Sequence, residues 1–168
     1  MKRNEDKAEA VHTEEKTNVM RILDKHRIGY NAYCYTDKEA LSGIEVARIL
    51  NVDSMRIFKT LVTVGKSKTY YVFMIPSDKE LDLKKAASSV GEKSVSMVKS
   101  KELLPLTGYV HGGCSPIGMK KKFITVVDKS ASDFDKIIFS AGRIGRQVEL
   151  GIEALGKIVE FKLENITV

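Results

Sequence analysis

Apolar positions along the chain follow two periods, and the changes between them mark the elements. Val19, Ile22 and Leu23 recur at helical spacing behind Thr17 and Asn18, with Gly29 beyond, which predicts a first helix. Residues 30–35 alternate as a strand. Ser42-Gly43-Ile44-Glu45 has the form of a capping box and opens a helix to Leu50, with Ile44, Ala47 and Leu50 available for burial. Phe58–Val64 and Thr69–Ile75, rich in β-branched and aromatic residues, flank Gly65-Lys66-Ser67 and predict a hairpin. Asp82 caps a short helix ending near Gly91, and a second short helix over 99–104 stops at Pro105. Residues 123–127, 136–140, 147–150 and 158–161 read as further short strands. Strands and helices interleave irregularly, and hairpins stand beside crossovers. That order predicts an α+β (mixed α/β) domain with a mixed, curved, barrel-like sheet flanked by helices.

Residues 1–16 break this pattern. They are charged, aperiodic and nearly free of large apolar groups, and read as a mobile leader before a body at 17–168. The body has no repeat or Pro/Gly/Ser linker, and 168 residues suit one domain with an ordinary core. No apolar run approaches a membrane span and no signal peptide is visible, so no membrane association is expected. Cys34 and Cys114 stand without CxxC or metal-ligand spacing, which points to a reducing cytoplasmic setting. Three scattered histidines and no acidic cluster argue against a metal site.

Charge adds a partner class. Lys and Arg outnumber Asp and Glu by 28 to 22, and the leader is net acidic, so the body carries the whole positive excess. A basic body attracts a polyanion through counterion release, although many small domains are basic for solubility alone.

Three segments offer chemistry. Lys59 lies inside the apolar strand Phe58-Lys59-Thr60-Leu61-Val62, on the face it shares with Leu61 and Thr63. It reads either as a cleft lysine, able to act as a base or to hold phosphate or carboxylate, or as a solvent-facing strand lysine. Residues 107–118 hold four glycines around His111-Gly112-Gly113-Cys114-Ser115-Pro116, followed by Lys120, Lys121 and Lys122. Bare backbone there can approach a ligand and its N–H groups can form a nest, or the stretch is a plain turn before solvated lysines. Ser140-Ala141-Gly142-Arg143-Ile144-Gly145-Arg146-Gln147 forms a second such loop, a phosphate clamp or a flexible connection. A Cys114–His111 or Ser115–Lys59 pair lacks an evident third orienting group.

Taken in order, these landmarks resemble the YbaK/EbsC family of free-standing aminoacyl-tRNA deacylases, relatives of the editing domain inserted in bacterial prolyl-tRNA synthetases. The resemblance runs from about Lys16 to Leu155. It is carried by Lys16-Thr17-Asn18, Val46-Ala47, Phe58-Lys59-Thr60-Leu61-Val62 and Glu80-Leu81-Asp82-Leu83-Lys84-Lys85-Ala86-Ala87. It continues through Leu106-Thr107-Gly108-Tyr109, Gly112-Gly113-Cys114-Ser115-Pro116-Ile117-Gly118-Met119-Lys120-Lys121, Ser140-Ala141-Gly142-Arg143 and Val148-Glu149-Leu150. The resemblance is strongest to the YbaK branch, which acts on cysteinyl-tRNA made in error by prolyl-tRNA synthetase.

That resemblance implies a YbaK-like fold, an aminoacyl-tRNA substrate, prolyl-tRNA synthetase as a possible partner, and no cofactor. It carries the catalytic role to Lys59, Gly112 and Gly113. Substrate contacts fall to Tyr35, Thr60, Ser115, Ser140 and Gln147, and tRNA contacts to Lys120, Lys121, Lys122 and Arg143. It also implies a mechanism without a protein nucleophile, in which the cysteine thiol on the tRNA attacks its own ester. The chain departs from the branch at Gln147, where aspartate is common, at Cys114, and at Ile144 with Arg146. These positions bear on which amino acid is removed, serine and alanine included. A non-catalytic tRNA- or synthetase-binding module of the same fold is the alternative reading.

Overall fold

The computed structural model describes residues 16–35 and 39–168. Residues 1–15, nearly all of the expected leader, lie outside the described residues, as do 36–38. Lys16, placed at the leader's end, is tied to Asp24 by a salt bridge.

Two sheets carry the chain. The smaller is antiparallel, with strands β1 (Asn31–Cys34), β7 (Arg146–Leu150) and β6 (Ile137–Ser140) in the order β1-β7-β6. The larger runs β4 (Val95–Met97), β2 (Phe58–Gly65), β3 (Tyr70–Pro76), β5 (Ile124–Asp128) and β8 (Phe161–Glu164). In it β3–β5 and β5–β8 are parallel while the pairs made by β2 are antiparallel, so the mixed sheet expected from the pattern is present. A parallel bridge between Ile57 and Ile138 links the edge of the smaller sheet to the start of β2.

Strand alternation sorts the core into three clusters. Val72 and Met74 of β3 point with Phe139 and Val148 into the main core, against Val19, Met20 and Leu23 of α1 (Asn18–Lys25). Tyr71, Phe73 and Ile75 point the other way, onto Ala86 and Ala87 of α3 (Leu83–Ser89). The third cluster sets Val46 and Ala47 of α2 (Gly43–Leu50) against Tyr35, Ile57 and Ile138. It therefore lies on the face of the smaller sheet that the main core leaves open.

Local chemistry explains most boundaries. The Thr17, Ser42 and Asp82 side chains accept backbone N–H bonds at the starts of α1, α2 and α3. The hairpin has the expected register, Phe58 opposite Pro76 through Val64 opposite Tyr70. Four expectations shift. Ile44 is exposed, because Val46 and Ala47 rather than Ile44 turn inward. The helix expected to stop at Pro105 is α4 (Ser100–Thr107), with Pro105 inside it. It continues because Gly108 N–H bonds to Leu104 O at 2.9 Å and the Thr107 hydroxyl donates to Leu103 O at 2.8 Å, so only the bond that proline cannot make is lost. The last strand begins at Phe161, since Ile158 and Val159 close the turn after α5 (Ile152–Leu155). Finally, β4 and α5 had no counterpart in the pattern. Three and four residues respectively are too short for either period to show.

Candidate active site

The site forms where the two sheets meet. Ser140 of β6 stands opposite Gln147 of β7, and Gln147 stands opposite Tyr33 of β1. Because Ile57 bridges Ile138, Lys59 and Thr60 begin β2 beside the end of β6. The start of α2 and the loop around Gly112 complete a cavity of about 510 Å³. Its lining includes Tyr35, Lys59, Thr60, Gly112, Ser140 and Gln147, six of the residues expected from the sequence.

The loop before β5 is fixed from within. Tyr109 N–H bonds to the Thr107 hydroxyl at 3.0 Å, the Tyr109 hydroxyl donates to Ile117 O, and the Ser115 hydroxyl accepts from Ile117 N–H at 3.4 Å. Gly112 sits at φ 85°, a left-handed conformation that disfavours side chains, and a Cβ on it would fall 2.6 Å from Ala40 Cβ. A Cβ on Gly113 would lie 3.3 Å from Ile144 N, so the two glycine-rich loops touch backbone to backbone. Gly112 therefore presents bare main chain to the cavity.

The cavity's polarity is uneven. Among the described residues its lining contains the cation Lys59 and no Asp or Glu, and Lys59 has no salt bridge to another described residue. Gln147 donates its amide to the Tyr35 hydroxyl at 3.1 Å, while its Oε1 and the Thr60 hydroxyl are buried without partners. The Ser140 hydroxyl accepts from Gly142 N–H at 3.1 Å. Next to the cavity, burial disfavours the Glu149 carboxylate, yet bonds from Asn31, Arg56 and Tyr33 hold it below the usual carboxylate range. That network stiffens the sheet beneath the site without entering it.

The remaining expected residues lie off the lining. Gly113 and Ser115 are buried beside it, the latter with its hydroxyl turned into its own loop. Lys120, Lys121, Lys122 and Arg143 are exposed, and Lys122 faces Glu160 at 3.6 Å. Cys114 does line the cavity, but burial pushes its thiol up to about 12, leaving it protonated and a poor nucleophile near neutrality. His111 is an exposed lining residue.

Ser42 and Ser77 also line the cavity, and the sequence reading gave neither a site role. Ser42 was legible only as a helix cap, which it is: its hydroxyl accepts from Glu45 N–H at 3.2 Å. Ser77 had a usable signal. Extending the hairpin register past Pro76 brings it to Ile57, whose carbonyl accepts from Ser77 N–H at 2.7 Å.

Fold and cavity together define a small α+β domain with a cavity lined in part by glycine backbone and, among the described residues, by Lys59. Comparison with known proteins narrows the class. The chain belongs to the aminoacyl-tRNA editing domain family, whose model matches residues 37–158. It is 44% identical over 156 residues to EbsC of Enterococcus faecalis, named as a candidate Cys-tRNA(Pro)/Cys-tRNA(Cys) deacylase, covering 92% of this chain and 95% of that protein. It is 32% identical over 77 residues to the proline–tRNA ligase of Thermosipho africanus, a match spanning 46% of this chain and 14% of the ligase. A solved structure described as a candidate trans-editing enzyme for prolyl tRNA synthetase superposes with a TM-score of 0.79. At 20% identity, covering 89% of this chain and 96% of the other, it supports the fold alone.

Proposed function

We propose that this protein is a trans-editing deacylase that removes cysteine from misacylated tRNA(Pro). The observation that carries the reading is the cavity itself: Lys59 and the bare backbone of Gly112 on its lining, with the Cys114 thiol beside them held protonated by burial. Such a lining can position an ester and stabilise charge, and for cysteine nothing more is required. The substrate thiol attacks the ester carbonyl, a C–S bond forms, the C–O bond to the ribose breaks, and the thiol proton passes by solvent to the departing oxygen. The products are a cysteine thiolactone and free tRNA. Well-oriented intramolecular attack can reach effective molarities of about 10⁵ M or more, and because cysteine closes a strained four-membered ring, holding thiol and carbonyl in line and stabilising the developing charge are what the site must supply.

In this reading Lys59 neutralises phosphate or holds the terminal adenosine, and Tyr35 and Ser140 help to place the aminoacyl group. Gly112 offers main chain to it, with Gly113 behind. The exposed Lys120, Lys121, Lys122 and Arg143 add salt-dependent attraction for the tRNA body. Among the described residues no helix is long and apolar enough to cross a membrane, and the reading places the protein in the cytoplasm with prolyl-tRNA synthetase as a partner. The names of the relatives support this choice of substrate and partner.

The test is a panel of labelled tRNAs, comprising Cys-tRNA(Pro), Cys-tRNA(Cys), Ser-tRNA and Ala-tRNA, each incubated with the purified protein. Rapid release of cysteine from tRNA(Pro) is expected. Binding of tRNA without loss of label from any member would instead identify a non-catalytic module of the same fold.

A further inference from the structure

Two atoms of this cavity lack the partners that buried polar atoms ordinarily have. Thr60 Oγ1 and Gln147 Oε1 are both buried without a hydrogen bond, and both residues line the same cavity. Buried polar groups in folded proteins are nearly always paired, so two unmet atoms on residues lining one cavity point to a ligand that meets them. Gln147 is only 8% exposed, and its amide nitrogen is committed to the Tyr35 hydroxyl at 3.1 Å. With the nitrogen engaged, the other end of the amide is an acceptor with no hydrogen of its own. Thr60 adds a hydroxyl with free lone pairs.

Gln147 Oε1 therefore calls for a donor, and the Thr60 hydroxyl is able to accept a second. Of the groups on the aminoacyl side of the ester, the carbonyl brings none, a side-chain thiol one, and the α-amine two or three. Resting on the deacylase reading, we propose that Gln147 Oε1 and Thr60 Oγ1 receive the α-amine of the bound aminoacyl ester. A free amine is then a condition of binding. A residue whose nitrogen is acylated keeps one N–H and carries a carbonyl into the acceptor pair, so peptidyl and formylated ends are refused.

The test uses two adenosine analogues in which a 3′-amide replaces the ester, one carrying cysteine with a free amine and one carrying N-acetylcysteine. Each is titrated calorimetrically into the full chain, with kcat/KM on the corresponding free and N-acetylated Cys-tRNA(Pro) measured alongside. The free amine should be favoured by at least about tenfold, the scale of one charge-assisted hydrogen bond in a buried site. Gln147→Leu and Thr60→Val should each bring that ratio toward one by weakening the free-amine ligand alone. Equal treatment of the two forms by the wild-type protein overturns the proposal and leaves the deacylase reading standing. Failure to bind either analogue together with failure to cleave either tRNA overturns both. Because the wild-type ratio decides the question, a variant that does not fold cannot obscure it.

Discussion

Gly43 rests directly on Ser77: a Cβ built on the glycine would fall 2.0 Å from the serine Cβ. The first turn of α2 is thereby pressed onto the end of β3, and both residues line the cavity. Helix propensity alone favours alanine over glycine by about 1 kcal/mol. Here the clash outweighs it, and Gly43→Ala should destabilise the fold by about 1–3 kcal/mol and slow deacylation by displacing the α2 wall. Adding Ser77→Gly should recover most of the lost stability in a thermal melt. A stabilising Gly43→Ala substitution would show that α2 does not sit where it is described.

Lys59→Ala should lower deacylation by at least about a hundredfold, as expected when a preorganised charge is removed from a closed site. The melting temperature should be nearly unchanged, since the ammonium has no salt bridge among the described residues. Cys114→Ser should keep nearly full activity. The opposite pattern would reinstate a protein thiol as nucleophile.

The sequence made much of this site legible, for reasons that differ by residue. Local rules found the caps at Thr17, Ser42 and Asp82 and the hairpin register that carries Lys59, because each depends on neighbours within a few residues. Periodicity could not decide whether Lys59 faced a cleft or water. That depends on the Ile57–Ile138 bridge, which joins positions far apart in the chain. Family resemblance supplied the choice, and Lys59 is among the residues that line the cavity. The burial of Ser115, and the hydrogen bond between Gln147 and Tyr35 across 112 residues, are long-range facts that no local pattern encodes.

Alkaline pH should destabilise the protein through Cys114 and Tyr109. Burial raises the cysteine from 9.0 to about 12, and burial with the neighbouring Cys114 raises the tyrosine from 10.0 to about 12. The folded state thus holds protons that the unfolded chain releases. Their contribution is complete below pH 9 and disappears as pH climbs through 9–12. Cys114→Ala should flatten the fall of melting temperature between about pH 9 and 11. An unchanged slope would mean that the thiol is not buried as described.

Acid acts on Glu149 in the opposite sense. Its folded carboxylate titrates below 4.5, held there against burial by Asn31, Arg56 and Tyr33, so its contribution is present above that value and is lost as pH falls through the lower one. Arg56→Met leaves the carboxylate, only 7% exposed, without its counter-charge. The substitution should cost about 1–3 kcal/mol at neutral pH and shift acid unfolding toward higher pH. Arg56→Lys should recover part of the loss. Denaturant titrations at pH 7 and pH 4 read both effects.

The substrate's own thiol should set the pH dependence of the reaction. With Cys114, the cysteine on the cavity lining, protonated up to about 12, the reacting thiolate near neutrality is assigned to the cysteine on the tRNA. The rate on Cys-tRNA(Pro) should therefore rise with pH toward a plateau near the ordinary thiol value of about 8.5, and Cys114→Ser should leave the profile unmoved. Replacing the bound cysteine by 2-aminobutyrate, which carries a methyl in place of the thiol, should abolish cleavage while binding persists. Mass spectrometry of the cysteine reaction should find the thiolactone before it hydrolyses. Undiminished cleavage of the aminobutyryl ester would transfer the attack to water and make the cavity a hydrolytic site.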